Sequence, residues 1–229
     1  MVVSSIKAHA ERGDTEAMVA LGTIYDNGRY VPQDRAKALE LFRQAAEAGN
    51  ANGQYFLGLR YVDGTGVEQN LSEAARLFNL AANQGLASAQ TELAKLYYLG
   101  AGVERDTAKA ASLNQTAIEK GSAEAAFDLG VQYAKGEGVP HSTTDAIRLF
   151  QQAANGDFVK AQVRLAKMYL QDPEVARDPA EAARWLRKAA EKNDPTAIAM
   201  LADLYSQGDG VAQDQGEAAR LRAQLPQRQ

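Results

Sequence analysis

At 229 residues, with 45% hydrophobic and 24% charged residues, the chain can bury a substantial core and has an ordinary globular composition. Its net charge is −4, and it lacks the basic stripe and the domain pI above about 9 that mark nucleic-acid binders. It contains no cysteine, which excludes a disulfide framework, a thiolate metal site and a cysteine nucleophile.

Residues 4–12 read as a first, N-terminal cap helix, with Ile6 in phase with Phe42 and Gly13 with Gly49. The opening Met1-Val2-Val3-Ser4-Ser5-Ile6-Lys7 has no basic stretch followed by an apolar one, so it is not a signal peptide. No run approaches about 18 apolar residues, so no membrane insertion is expected. A cytoplasmic protein is the expectation, with the periplasm open if a signal sequence preceded this start.

From residue 14 onward a 36-residue period governs everything. Helix A of each unit carries Ala17, Leu21 and Tyr25, or their equivalents through Ala197, Leu201 and Tyr205. The i, i+4, i+8 spacing sets them on one helical face. A small residue follows each Leu (Gly22, Gly58, Ala94, Gly130, Ala166, Ala202) and lets a neighbouring helix come close.

Gly28, Gly64, Gly100, Gly136 and Gly208 end helix A, as glycine tolerates positive φ. A second glycine follows at Gly66, Gly102, Gly138 and Gly210, then a valine plug from Val31 to Val211. Asp34, Asn70, Asp106, Ser142, Asp178 and Asp214 are predicted N-caps of helix B. Acids three residues on (Glu73, Asp145, Glu181, Glu217) are expected to close some as capping boxes.

Helix B buries Ala38 and Leu41 or their equivalents, and closes at Gly49, Gly85, Gly121, around Gly156 and near Asn193. Asp14, Asn50, Ser122 and Asp194 then cap the next helix A. The reading is all-α: a solenoid of six helix-pair repeats, about 14–49, 50–85, 86–121, 122–157, 158–193 and 194–225, in a single domain spanning 1–229. One pair cannot bury its apolar face alone, so neighbours supply the core.

The pattern Ala125, Leu129-Gly130, Tyr133, Gly136, Gly138-Val139, Ala146, Ala153-Ala154 resembles the Sel1-like repeat family, relatives of tetratricopeptide repeats. The likeness covers about residues 14–225. It implies a right-handed superhelix of antiparallel helix pairs, and a role as adaptor or scaffold binding another protein. Some family members are immunity proteins that neutralise a toxin enzyme, which supplies an alternative function. Repeat five departs from the pattern, with Asp172-Pro173-Glu174 in place of both glycines, so its loop should follow another path. Repeat three departs too, with Asn114 and Ile118 where Phe and Ala are usual.

No catalytic, metal or cofactor residues are expected. The Gly-x-Gly loops lack the strand and Lys-Ser/Thr of a phosphate loop. The aspartate column lies a repeat apart, about 10 Å, too far to share a cation. Ser4-Ser5-Ile6-Lys7 lacks its companion motifs, and His9 and His141 stand alone.

Function should therefore sit where the repeats differ. If helix A lines the concave face, as in tetratricopeptide proteins, five of its columns point into a groove. Tyr55, Leu59, Val62, Lys95, Tyr98, Phe127, Val131, Lys135 and Lys167 are the candidate partner-binding residues. Apolar anchors in the middle with polar positions around them have the character of a binding hot spot. The bland alternative for Tyr55 and Phe127 is packing between helices. Three central repeats would span about 30 Å, room for about nine extended residues or one helix.

Overall fold

A computed structural model describes residues 2–226. Thirteen helices are present among these residues, and no strand. The chain divides into two compact units, Met1–Gly121 and Ser122–Gln229, a division that the unbroken repeat period does not announce.

The first unit contains α1 (Val2–Ala10), α2 (Thr15–Asn27), α3 (Arg35–Glu47), α4 (Ala51–Asp63), α5 (Leu71–Asn83), α6 (Ala87–Leu99) and α7 (Thr107–Glu119). The second contains α8 (Ala123–Lys135), α9 (Thr143–Asn155), α10 (Val159–Gln171), α11 (Pro179–Glu191), α12 (Pro195–Gln207) and α13 (Gln215–Arg222). Within each unit every helix packs on the next in sequence. Even-numbered helices are the A helices of the repeats. The predicted cap helix is α1, set slightly earlier than residues 4–12.

The helix ends follow the chemistry of the sequence. Each B helix is capped by its predicted Asp, Asn or Ser, whose side chain accepts the N–H of the third helical residue. Asp14, Asn50, Ser122 and Asp194 do the same for A helices, whereas Leu86 and Phe158 offer no side-chain cap. At the B-helix ends the left-handed residue after α9 is Asp157 (φ 59°), not Gly156, and after α11 it is Asn193 (φ 60°). Both residue types tolerate this conformation better than other non-glycine residues.

The predicted capping boxes are not the way the acids are used. The N-cap N–H that a box would engage already donates to a tyrosine carbonyl: Asn70 to Tyr61, Ser142 to Tyr133, Asp178 to Tyr169, Asp214 to Tyr205. Freed of that duty, Glu73, Glu181 and Glu217 accept two hydrogen bonds each from Arg76, Arg184 and Arg220, three residues on. Asp145 takes Arg148 and the Ser142 hydroxyl.

Three repeats build their core by one pairing. A Cβ at Gly22, Gly58 or Gly130 would lie 2.6–2.7 Å from the ring of Phe42, Phe78 or Phe150, respectively. Those phenylalanines are 0–1% exposed. Where the glycine is Ala94 or Ala166, the residue twenty on is Asn114 or Leu186 instead, both buried. The small-residue column is thus a socket for the B helix of its own repeat. Close packing to near-crystalline density leaves no spare methyl there.

The second loop glycine serves another close approach. A Cβ at Gly102 would meet the Leu71 carbonyl carbon at 2.3 Å, and one at Gly210 would meet that of Pro179 at 2.2 Å. In repeat five Glu174 occupies this place, and its carboxylate accepts from the Thr143 hydroxyl, at the position equivalent to Leu71. Asp172 ends α10 in extended backbone (φ −77°, ψ 124°) rather than left-handed. The loop takes the different path expected, then rejoins the common frame at Asp178.

Candidate functional site

The non-repeating columns of the A helices differ in exposure. The column six residues after the recurring Leu of each repeat (Asn27, Asp63, Leu99, Lys135, Gln171, Gln207) is exposed throughout. In it Leu99 leaves 68% of its surface to solvent, an arrangement that helix stability gives no reason to keep. None of the nine candidate residues is fully buried; Lys135 and Lys167 are exposed and the other seven half-buried.

In the first unit the candidates Tyr55, Leu59 and Val62 lie along α4, leaning on a core that includes Phe78, Leu93 and Leu96. The Tyr55 ring sits 5.9 Å from Phe78 and 5.4 Å from Phe56. Tyr98 carries the Arg105 guanidinium 5.8 Å above its ring and accepts from Arg105 Nε at its carbonyl, 3.0 Å away. Lys95 Nζ lies 2.9 Å from Glu92 Oε1.

Arg60 is a participant the columns do not single out. Its Nη1 stands 3.6 Å from both Asp26 and Asp63, joining α2 to α4. A cation between the two aspartates offsets much of their charge. A long side chain on α4 reaching α2 leaves no trace in residue spacing.

In the second unit Phe127 lies 5.5 Å from Phe150 and 5.3 Å from Phe158. Its column also holds buried Val163, as Tyr55's holds buried Val19 and Thr91. These rings therefore belong partly to the seam between helices A and B. Lys135 Nζ is 3.9 Å from Glu137 Oε2. Val131 is half-buried on α8 and Lys167 exposed on α10. The nine candidates fall on α4 and α6 in one unit and on α8 and α10 in the other, so each unit carries its own stretch.

Clefts occur on both helix layers. One of about 240 Å³ lies between α10 and α12, edged by Leu170, Met200, Asp203 and the Arg177–Asp209 ion pair. Three others, of about 330, 390 and 390 Å³, lie between successive B-type helices, at Tyr25, Tyr61 and Tyr205. Their linings are equivalent positions of different repeats, the mark of the packing pattern. No group of three or more His, Asp or Glu able to hold a metal occurs among the described residues.

The Sel1 repeat model matches residues 15–50, 51–86, 87–122, 123–158, 159–194 and 195–221. The chain belongs to the Sel1 repeat family. The matched units begin one residue after the boundaries read from the sequence, so that each later A-helix N-cap, from Asn50 to Asp194, closes the preceding unit. Sel1 repeats generally form a scaffold that mediates protein–protein interaction. No helix among the described residues is long and apolar enough to cross a membrane.

Solved Sel1 structures share the solenoid. A protective antigen of uropathogenic Escherichia coli strains displaying an SLR fold is 34% identical with a TM-score of 0.85, over 97% of this chain and 48% of its own. The chain thus spans about half the length of that relative. A Sel1 repeat protein from Oxalobacter formigenes is 28% identical at TM-score 0.85, over 96% of this chain and 97% of its own. An immunity protein from Pseudomonas aeruginosa is 24% identical at TM-score 0.53, over 91% and 74%, a likeness of fold. A comparison with curated proteins finds no match.

Proposed function

We propose that this Sel1 repeat protein is an adaptor that captures a peptide or helix of a partner protein on the outward columns of its A helices. Leu59, Val62, Tyr55 and Tyr98 anchor the partner in the first unit, and Phe127 and Val131 in the second. Lys95, Lys135 and Lys167 border them. The observation that carries this reading is Leu99, 68% exposed at the end of α6, in a column beside those of half-buried Leu59, Val62 and Tyr98. Apolar surface left open beside polar edges is what protein-binding surfaces keep.

Leu59→Arg and Phe127→Arg test it. Each should abolish capture of the partner in a pulldown while circular dichroism stays unchanged. Capture that survives both with the fold intact removes the reading. Blockade of a toxin enzyme is the second reading. It draws on the fold shared with immunity proteins, and growth rescue on co-expression with an effector enzyme separates it from an adaptor role.

A further inference from the structure

Helix α10 differs from every other A helix in charge. Its sequence, VKAQVRLAKMYLQ, contains three cations and no acid. Lys160, Arg164 and Lys167 are all exposed. Spacings of four and three residues keep them within about 40° of one helical line, over a rise of about 10 Å.

The other arginines of this unit with a described side chain are engaged. Arg148, Arg177, Arg184, Arg220 and Arg222 each meet a carboxylate, and Arg187 the Tyr205 hydroxyl. The α10 cations make no ion pair among the described residues; Arg164 only skirts the Phe150 ring at 5.9 Å. Three acids elsewhere in this unit do not serve them. Asp203 is held by Arg222 at 2.8 Å, Asp209 by Arg177, and exposed Asp157 pairs with none of the three.

The row is kept at a local cost. Like charges four residues apart repel, and Lys160 sits in the first turn, where the helix dipole disfavours a cation. Neither packing nor capping gains from this arrangement.

We infer that Lys160, Arg164 and Lys167 form the docking row for an acidic helix of the partner protein, with carboxylates at i, i+4 and i+7. This rests on the partner-binding role proposed above and names the partner's chemistry. A helix laid along α10 presents carboxylates with the same rises of about 6 and 4.5 Å. An extended strand places same-face side chains about 6.7 Å apart and overshoots the row. A polyanion is disfavoured by the net charge of −4.

The test is fluorescence anisotropy at low ionic strength with a labelled, alanine-based helical peptide carrying Glu at i, i+4 and i+7. Its Gln counterpart and a single-stranded oligonucleotide serve as comparisons. The Glu peptide should bind about tenfold tighter than the Gln peptide, as three exposed pairs of modest strength allow. Lys160→Glu with Lys167→Glu should remove that preference, while Lys192→Glu, elsewhere on the unit, leaves it. Circular dichroism checks the fold, and Lys160→Gln with Lys167→Gln gives a milder version of the loss.

Equal binding of Glu and Gln peptides, an equal loss from Lys192→Glu, or equally tight binding of the oligonucleotide each overturns the inference. Its failure is distinct from that of the adaptor reading, which is decided by Leu59→Arg and Phe127→Arg in partner capture.

Discussion

The backbone N–H of Asp178 donates to the carbonyl of Tyr169 at 2.9 Å, across the one loop that lacks both glycines. The same bond joins Asp34 to Tyr25, Asp106 to Tyr97 and Asp214 to Tyr205, all at 2.9 Å. It fixes where each B helix starts relative to its A helix, so the loop interior is free to vary. That is why Asp172-Pro173-Glu174 is accommodated without shifting α11, whose Ala182 and Trp185 remain 0–1% exposed.

Asp178→Ala follows from this. It removes the side-chain cap on the Glu181 N–H, 3.0 Å away, but not the backbone bond to Tyr169. Urea unfolding should show a loss of about 1 kcal/mol, the usual worth of such a cap, with an unchanged far-ultraviolet spectrum. A loss of helix content would mean that the cap, not the backbone bond, sets the start of α11.

Gly58 and Phe78 should be strongly coupled. Gly58→Ala places a methyl 2.6 Å from the Phe78 ring and should cost about 1–3 kcal/mol as an overpacked contact. In a Phe78→Leu background the same change should cost much less, as the natural pairing of Ala166 with Leu186 suggests. A double-mutant cycle giving additive losses contradicts the socket.

Tyr30 occupies the second-glycine place of repeat one with φ +73° and is 73% exposed. A left-handed L residue carries a strain of about 1–2 kcal/mol, and among the described residues the ring meets the Arg29 guanidinium 5.1 Å away. Tyr30→Gly should therefore raise thermal stability, by about 1 kcal/mol after the flexibility that glycine adds to the unfolded chain. A lower melting temperature would show that the ring stabilises the loop.

Acid should weaken the fold through the first-turn pairs. Hydrogen bonds from Arg76, Arg184 and Arg220 hold the carboxyls of Glu73, Glu181 and Glu217 below their ordinary 4.5. Because these groups ionise more readily folded than unfolded, their contribution is present above about pH 4.5 and is lost as pH falls further. The melting temperature should drop from pH 5 to 3, and the triple Glu→Gln variant should drop less steeply. Parallel curves would contradict this.

Much of the fold is legible in the sequence because the repeat states it six times. Capping residues such as Asp34 and Asn50 act locally, and their chemistry is fixed by neighbours three residues away. The tyrosine carbonyl bond is not legible, since backbone groups have no side-chain signature; for that reason spacing suggests capping boxes at Glu73 and Glu217 where the structure has arginine pairs. The small-residue column does announce a close approach, but its partner twenty residues on emerges only in three dimensions.

At the candidate surface, the outward set of Leu99 and Lys135 follows from helical geometry. The lean of Tyr55 and Phe127 toward B-helix phenylalanines, the Glu92 partner of Lys95 and the reach of Arg60 depend on rotamers. Spacing alone does not fix those.

The account places binding on the A helices, and site-specific photocrosslinking tests that directly. A photoreactive phenylalanine analogue is placed at Leu99 on α6 or, for comparison, at Leu80 on α5, exposed by 68% and 38%. Adducts with the partner at 99 and none at 80 are the predicted result. Adducts at 80 with none at 99 would place the partner on the B helices and contradict the account.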